Sequence, residues 1–159
     1  MRLTTDEFNI VNLLVPKDRT GATFQTPPVN FKDYESGIFL LHFGDLAGTL
    51  SLDVEECTSA AGAGDTSAAF TYRVTAAATP DTVGNDTWGV RTAVAKDTTL
   101  ALGGLDNMLL AVEVKSEDLT DGYPYVTLEM TASAAATLTS AICILKPRYP
   151  QKSMITALT

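Results

Sequence analysis

The stretch Thr49-Leu50-Ser51-Leu52-Asp53-Val54-Glu55-Glu56-Cys57 decides the fold class. Leu50, Leu52 and Val54 fall on one side of an extended chain, while Thr49, Ser51, Asp53 and Glu55 fall on the other. This period of two is the signature of a half-buried β-strand. Just before it, Ile38-Phe39-Leu40-Leu41-His42-Phe43 is a short apolar run rich in β-formers, and Gly44-Asp45-Leu46-Ala47-Gly48 has the length and glycines of a hairpin loop.

The same alternation recurs outward from this point. Phe70, Tyr72 and Val74 form one set, and Trp88, Val90, Thr92 and Val94 the next, followed by the short Leu100-Ala101-Leu102. Met108, Leu110, Val112 and Val114 alternate with Leu109, Ala111, Glu113 and Lys115. Val126, Leu128 and Met130 alternate with Tyr125, Thr127 and Glu129. Ala141-Ile142-Cys143-Ile144-Leu145 reads as a strand apolar on both faces, and Asn9 to Val15 as one more. Roughly eight or nine short strands separated by turn signals result. Helix signals are poor: Ser116, as a cap, opens at most one turn before Asp121-Gly122 and Pro124 end it. Ala132 to Ala136 is too short for a stable helix and reads as a loop or strand end.

Many short strands without intervening helices predict an all-β chain, a β-sandwich with jelly-roll or Greek-key wiring. Parallel βαβ wiring is excluded because each crossover needs about a dozen residues or more. At 159 residues the chain suits one domain, 1–159. Residues 16–30, with Pro16, Gly21, Pro27 and Pro28, suit an extended N-terminal arm rather than a central strand. The C-terminal tail, 146–159, leaves through Pro147 and Pro150. Its Met154-Ile155-Thr156-Ala157-Leu158 segment is expected to fold back on the domain. The loops at Thr58–Ala68 and Thr79–Thr87 concentrate the small residues.

The formal charge is −8, with 11 Lys and Arg against 19 Asp and Glu. Phosphate neutralisation needs clustered cations, so nucleic acid is not an expected partner. Arg2, Lys17, Arg19, Lys146, Arg148 and Lys152 lie towards the two ends. They suit solvated ends, or complementary charge on the acidic body of a neighbouring subunit. The N-terminus lacks the apolar core of a signal peptide, and no apolar stretch approaches the roughly 20 residues that span a bilayer. No membrane partner is expected, and the chain is expected to be made in the cytoplasm and stay soluble.

Catalytic templates find little to work with. The only histidine, His42, sits in an apolar strand, and nothing marks Ser36 or Ser51 as a nucleophile beside it. Cys57 and Cys143 read as small buried hydrophobes, and their spacing does not suit zinc. Asp53 and Glu55, with Glu113, Glu117, Asp118 and Glu129, match a solvated sheet face better than a glycosidase pair. Asp81, Asn85 and Asp86 offer oxygen ligands in one loop but do not follow an EF-hand, and Asx-rich turns form without metal. Gly62-Ala63-Gly64 is not followed by the Gly-Lys of a P-loop. Neither catalysis nor a cofactor or metal is expected.

The run Gly37-Ile38-Phe39-Leu40-Leu41-His42-Phe43-Gly44, with Ala47 to Cys57 after it, resembles small virion proteins of tailed bacteriophages. So do Phe70-Thr71-Tyr72-Arg73, Asp121-Gly122-Tyr123-Pro124-Tyr125-Val126 and Cys143-Ile144-Leu145-Lys146-Pro147-Arg148-Tyr149. The resemblance covers residues 29–150 and rests on a strand pattern. It implies a head decoration (cement) protein encoded near the major capsid protein, with a jelly-roll-like sandwich and no catalytic residues. The implied partner is the major capsid protein, the implied place is the outer surface of the virion capsid, and the implied state is a homo-oligomer, dimer or trimer. Arg2, Lys17, Arg19, Lys146, Arg148, Tyr149 and Lys152 are then the candidate capsid contacts. Two other readings stand beside it: a neck, tail or fibre component, and a carbohydrate-binding module using Trp88, Tyr72, Tyr123 and Tyr125.

Overall fold

The computed structural model describes residues 7–75, 87–149 and 156–158. Among them run twelve strands: β1 (Asn9–Asp18), β2 (Thr23–Gln25), β3 (Val29–Asn30), β4 (Tyr34–Leu46), β5 (Thr49–Cys57), β6 (Thr66–Ser67), β7 (Phe70–Val74), β8 (Thr92–Val94), β9 (Leu100–Gly103), β10 (Leu109–Lys115), β11 (Tyr125–Ala132) and β12 (Thr137–Pro147). One 3-10 turn, Ser116–Asp118, follows β10.

The strands make two antiparallel sheets. Sheet A has the order β1-β12-β4-β10-β7-β8, and sheet B the order β2-β11-β5-β6, with β3 also on β11 and β9 also on β5. The chain changes sheet at most connections. The orders β1-β12-β4-β10 and β2/β3-β11-β5-β6/β9 are those of a jelly roll, with β7 and β8 added at one edge. The all-β sandwich expected from alternation is therefore the fold.

Alternation also places the core. On β4, Phe39, Leu41 and Phe43 are fully buried while Ile38 and His42 are exposed. Leu50, Leu52 and Val54 of β5, Leu110, Val112 and Val114 of β10, and Val126, Leu128 and Met130 of β11 are buried in the same way. Phe31 stacks on Phe39 with ring centroids 6.2 Å apart. Cys57 and Cys143 are free and buried, as small hydrophobes should be.

Four expectations need correction or refinement. The Gly44–Gly48 segment is not a hairpin: β4 pairs with β10 and β12, and β5 with β11, β6 and β9. Both edges of each strand are taken by these partners, and buried Leu46 carries the chain across the core. Gly48 makes this crossing so close to Ser133 and Ala135 that a Cβ would run into the Ser133 hydroxyl. The Trp88–Val94 alternation yields only β8. Trp88 keeps one bridge to Thr75, and Val90 is 87% exposed, because an edge segment with no strand beyond it has little to bury against. Ser116 does not cap its turn; its hydroxyl donates to the Glu35 carbonyl instead. Finally, the extended chain at 16–30 is stitched down as the end of β1 and the edge strands β2 and β3, where prolines are tolerated.

The described part of the C-terminal tail does fold back. Ala157 is 2% exposed within the core cluster, and its carbonyl accepts from the Asn30 N–H at 2.8 Å. At the same end of the sandwich, Gly37 has no room for a side chain: a Cβ would sit 2.6 Å from the Phe31 ring and 2.8 Å from Leu145 Cδ2. Gly37→Ala is expected to lower the unfolding free energy by about 1–3 kcal/mol through overpacking. Urea unfolding followed by near-UV circular dichroism checks this, since the Phe31–Phe39 stack is what the added methyl displaces.

Candidate functional site

The basic residues expected to make contacts do not form one patch. Lys17 lies opposite Thr139, and the Arg19 N–H donates to the Thr137 carbonyl, at one end of the β1–β12 ladder. The Arg19 guanidinium sits 4.7 Å from the Phe24 ring centre. Lys146 and Arg148 lie at the opposite end. Lys146 pairs with Glu35 at 3.0 Å. Arg148 donates to the Tyr34 carbonyl at 3.2 Å and to the Ser116 hydroxyl at 2.8 Å. Both arginines are thus engaged by their own domain. Tyr149 is 76% exposed. Arg2 and Lys152, and the loop residues Asp81, Asn85 and Asp86, lie outside the described residues.

Reactive groups are dispersed. His42 is exposed on the outer face of sheet A, and Ser51 belongs to sheet B. Burial, aided by Asp65, Glu55 and Glu56, pushes the Cys57 thiol up to about 11. Burial alone pushes the Cys143 thiol up, so both are held as neutral thiols. Among the described residues, no three His, Cys, Asp or Glu side chains form a metal-binding group. The carboxylates divide between the sheets: Glu113 pairs with Arg91 at 2.8 Å on sheet A, while Asp53 and Glu129 face each other on sheet B.

Sheet B carries its charge outward. Asp53 and Glu55 of β5 and Glu129 of β11 share its outer face with threonines and with Gln25, which bonds Glu129. Burial raises the Glu55 carboxyl above its ordinary value, and the like charges of Glu129, Asp65 and Asp53 raise it further.

Sheet A carries an apolar stripe along β1, β12 and β4, flanked on β10 and β7 by Glu113 and Arg73. Ile10, Ile144 and Ile38 lie in register across β1, β12 and β4. The next row is Asn12, Ile142, Leu40 and Ala111. Ile10 is 47% and Ile38 37% exposed, with Ile142, Ile144 and Leu40 half-buried. Four of the five isoleucines in the chain stand on this face, and the buried core of the described residues contains none. The sequence showed this only as a β12 strand apolar on both sides.

Glu56 is a second feature that sequence reading missed. It is 1% exposed, and its carboxylate accepts from Lys96 Nζ at 3.0 Å, from the Thr120 N–H at 2.7 Å and from the Thr120 hydroxyl. Its parity was legible, since it follows Leu50, Leu52 and Val54 on the inward side. It ties the segments around Lys96 and Thr120 to the end of β5. Beside them lies a cavity of about 150 Å³ lined by Phe31, Leu119, Tyr123 and Arg148, smaller than the roughly 300 Å³ at which small-molecule sites begin. An open trough of about 550 Å³ runs past Phe70, Val94, Arg91, Glu113, Lys115 and Asp118, and Arg91 and Glu113 in it are paired with each other.

The aromatic residues considered for sugar binding do not all share one surface, and Tyr123 lines the small cavity just before β11. Tyr72 packs against the core from sheet A, Tyr125 lies on sheet B opposite Cys57, and Trp88 is 39% exposed beyond β7.

No protein-family model matches the chain, and no curated protein matches it. Among solved structures, a provisionally described sugar binding protein from Bacteroides thetaiotaomicron is 8% identical over 89% of this chain and 85% of its own, with a TM-score of 0.19. Backbones that superpose so poorly carry neither fold nor function from one to the other.

Two substitutions test this electrostatic layout. Because the folded chain raises the Glu55 carboxyl, the protonated form contributes stability below about pH 4.5, its ordinary value, and that contribution is lost as pH rises through the raised value. Glu55→Gln is therefore expected to stabilise the protein at pH 7 by about 0.5 kcal/mol, less in high salt, and to have no effect at pH 3.5. Glu56→Ala leaves the Thr120 groups and Lys96 without their acceptor and is expected to cost about 2–4 kcal/mol. Thermal melts of both variants across pH and salt check the two signs.

Proposed function

We propose that this chain is a structural virion protein that binds the outside of a phage capsid and stabilises the shell. The observation that carries this reading is a two-sheet sandwich whose broad outer faces, and not a cluster of reactive groups, carry its chemistry among the described residues. A surface of that kind suits a broad protein partner better than a small molecule. The resemblance of residues 29–150 to phage head decoration proteins supplies the address, with the major capsid protein as partner. Function then rests on clamping: many modest contacts repeated over a lattice add avidity and resist the pressure of packaged DNA. The acidic outer face of sheet B suits exposure to solvent. Tyr149, Lys17 and Lys146 remain the outlying contacts, at opposite ends of the sandwich.

A carbohydrate-binding role is the second reading, favoured by the exposed rings of Trp88 and Tyr149. Sedimentation of the full chain with undecorated capsids separates the alternatives. Saturable binding at on the order of hundreds of copies per particle is expected for a shell protein that follows capsid symmetry. About a dozen copies or fewer would assign a neck or tail role instead. No sedimentation with capsids, together with retention on a glycan array, would overturn the capsid reading in favour of the sugar-binding one.

A further inference from the structure

We propose that the outer face of sheet A joins two copies of this chain face to face. This rests on reading the chain as a binding protein, but not on its capsid address. Three observations select a second copy as the occupant.

The first is charge. Each copy carries a formal −8, so like copies repel unless they meet where the charge is locally cancelled. The carboxylates nearest the isoleucine rows are cancelled within the chain, Glu113 by Arg91 at 2.8 Å and Glu35 by Lys146 at 3.0 Å. The outer face of sheet B sets Asp53 directly opposite Glu129, beside Glu55, whose carboxyl is raised first by burial and then by Glu129, Asp65 and Asp53. Two copies can therefore approach through sheet A and not through sheet B.

The second is size. Five strands about 4.8 Å apart, each presenting about seven residues at roughly 3.3 Å, make a plane of roughly 450–500 Å² before side-chain relief is counted. That approaches the roughly 800 Å² of accessible surface per partner in a stable complex. Sheets pack face to face about 10 Å apart with strands near −30°; Ile, Leu and Ala side chains fill the middle of that gap, while the Glu113–Arg91 pair, Arg73 and His42 of the same face lie around them.

The third is closure. Packing sheet A of one copy on sheet B of another would strip water from unneutralised carboxylates and leave a free face at each end, which gives an open stack. The same face on both copies is self-complementary under a two-fold axis and stops at two.

Sedimentation equilibrium of the full chain at about 1–200 µM tests this. The wild type is expected to run at twice the monomer mass, and Ile144→Lys to weaken association at least about 30-fold. Asp53→Lys, on the other sheet, should not weaken it. Should Ile144→Lys fail to fold, Ser140→Arg reports on the same face from a half-buried polar position. A monomeric wild type throughout the range, or a dimer indifferent to the sheet A substitutions, overturns the proposal. A monomer that still coats capsids would overturn the pairing alone. A dimer that ignores capsids would overturn the capsid reading and leave the pairing in place.

Discussion

The parity of β4 is the constraint on which the rest of the molecule depends. With Phe39, Leu41 and Phe43 turned inward, Ile38, Leu40 and His42 must turn outward, because side chains alternate strictly along a strand. Register passes this choice to both neighbours: Ile38 aligns with Glu113 on β10 and with Ile144 on β12, and β12 hands it on to Ile10 of β1. A slip of one residue would send the phenylalanines into solvent. The register shifts of β12 on β4 lie near its ends, between Leu138 and Thr139 and between Lys146 and Pro147, so the central rows stay in phase. Sheet B is held in the same way by an unbroken register from Tyr125–Cys57 to Ala132–Leu50.

Much of this was legible because period-two alternation is a local property. Leu50, Leu52 and Val54, or Met108 to Val114, announce their strands without knowledge of anything distant. The connections were harder, because whether Gly44–Gly48 turns within one sheet or crosses between two depends on which strands claim each edge. Those claimants, β10, β11 and β12, come at least 50 residues later in the chain. Trp88, Val90 and Thr92 alternate as well as any core strand, yet alternation says nothing about whether a second sheet lies opposite. Charge was legible as a total but not as a distribution. Arg19 and Arg148 read as free cations at the ends, whereas the fold lays one on the Phe24 ring and binds the other to the Tyr34 carbonyl and Ser116.

The two outer faces follow from the same parity but differ in chemistry. Isoleucine is set apart from the other apolar residues: Leu, Val, Phe and Met fill the interior of the described residues, while Ile10, Ile38, Ile142 and Ile144 stand on the outside of sheet A. β-Branched side chains pack well on a pleated surface, and the four isoleucines make an apolar stripe along β1, β12 and β4 of that face. Across the sandwich, Asp53, Glu55 and Glu129 crowd until burial and mutual repulsion hold the Glu55 carboxyl above its usual range. A protein with an apolar stripe on one face and an acidic cluster on the other is oriented by that contrast alone.

The role of the sheet A face as a contact surface is tested most directly by isoleucine methyl NMR with a soluble paramagnetic agent. The four δ1 methyl groups of Ile10, Ile38, Ile142 and Ile144 report on that face, and no buried core isoleucine among the described residues obscures them. If two copies meet there, these methyls are shielded from the agent in concentrated protein and become accessible on dilution. Equal, strong relaxation of all four at every concentration would contradict the account.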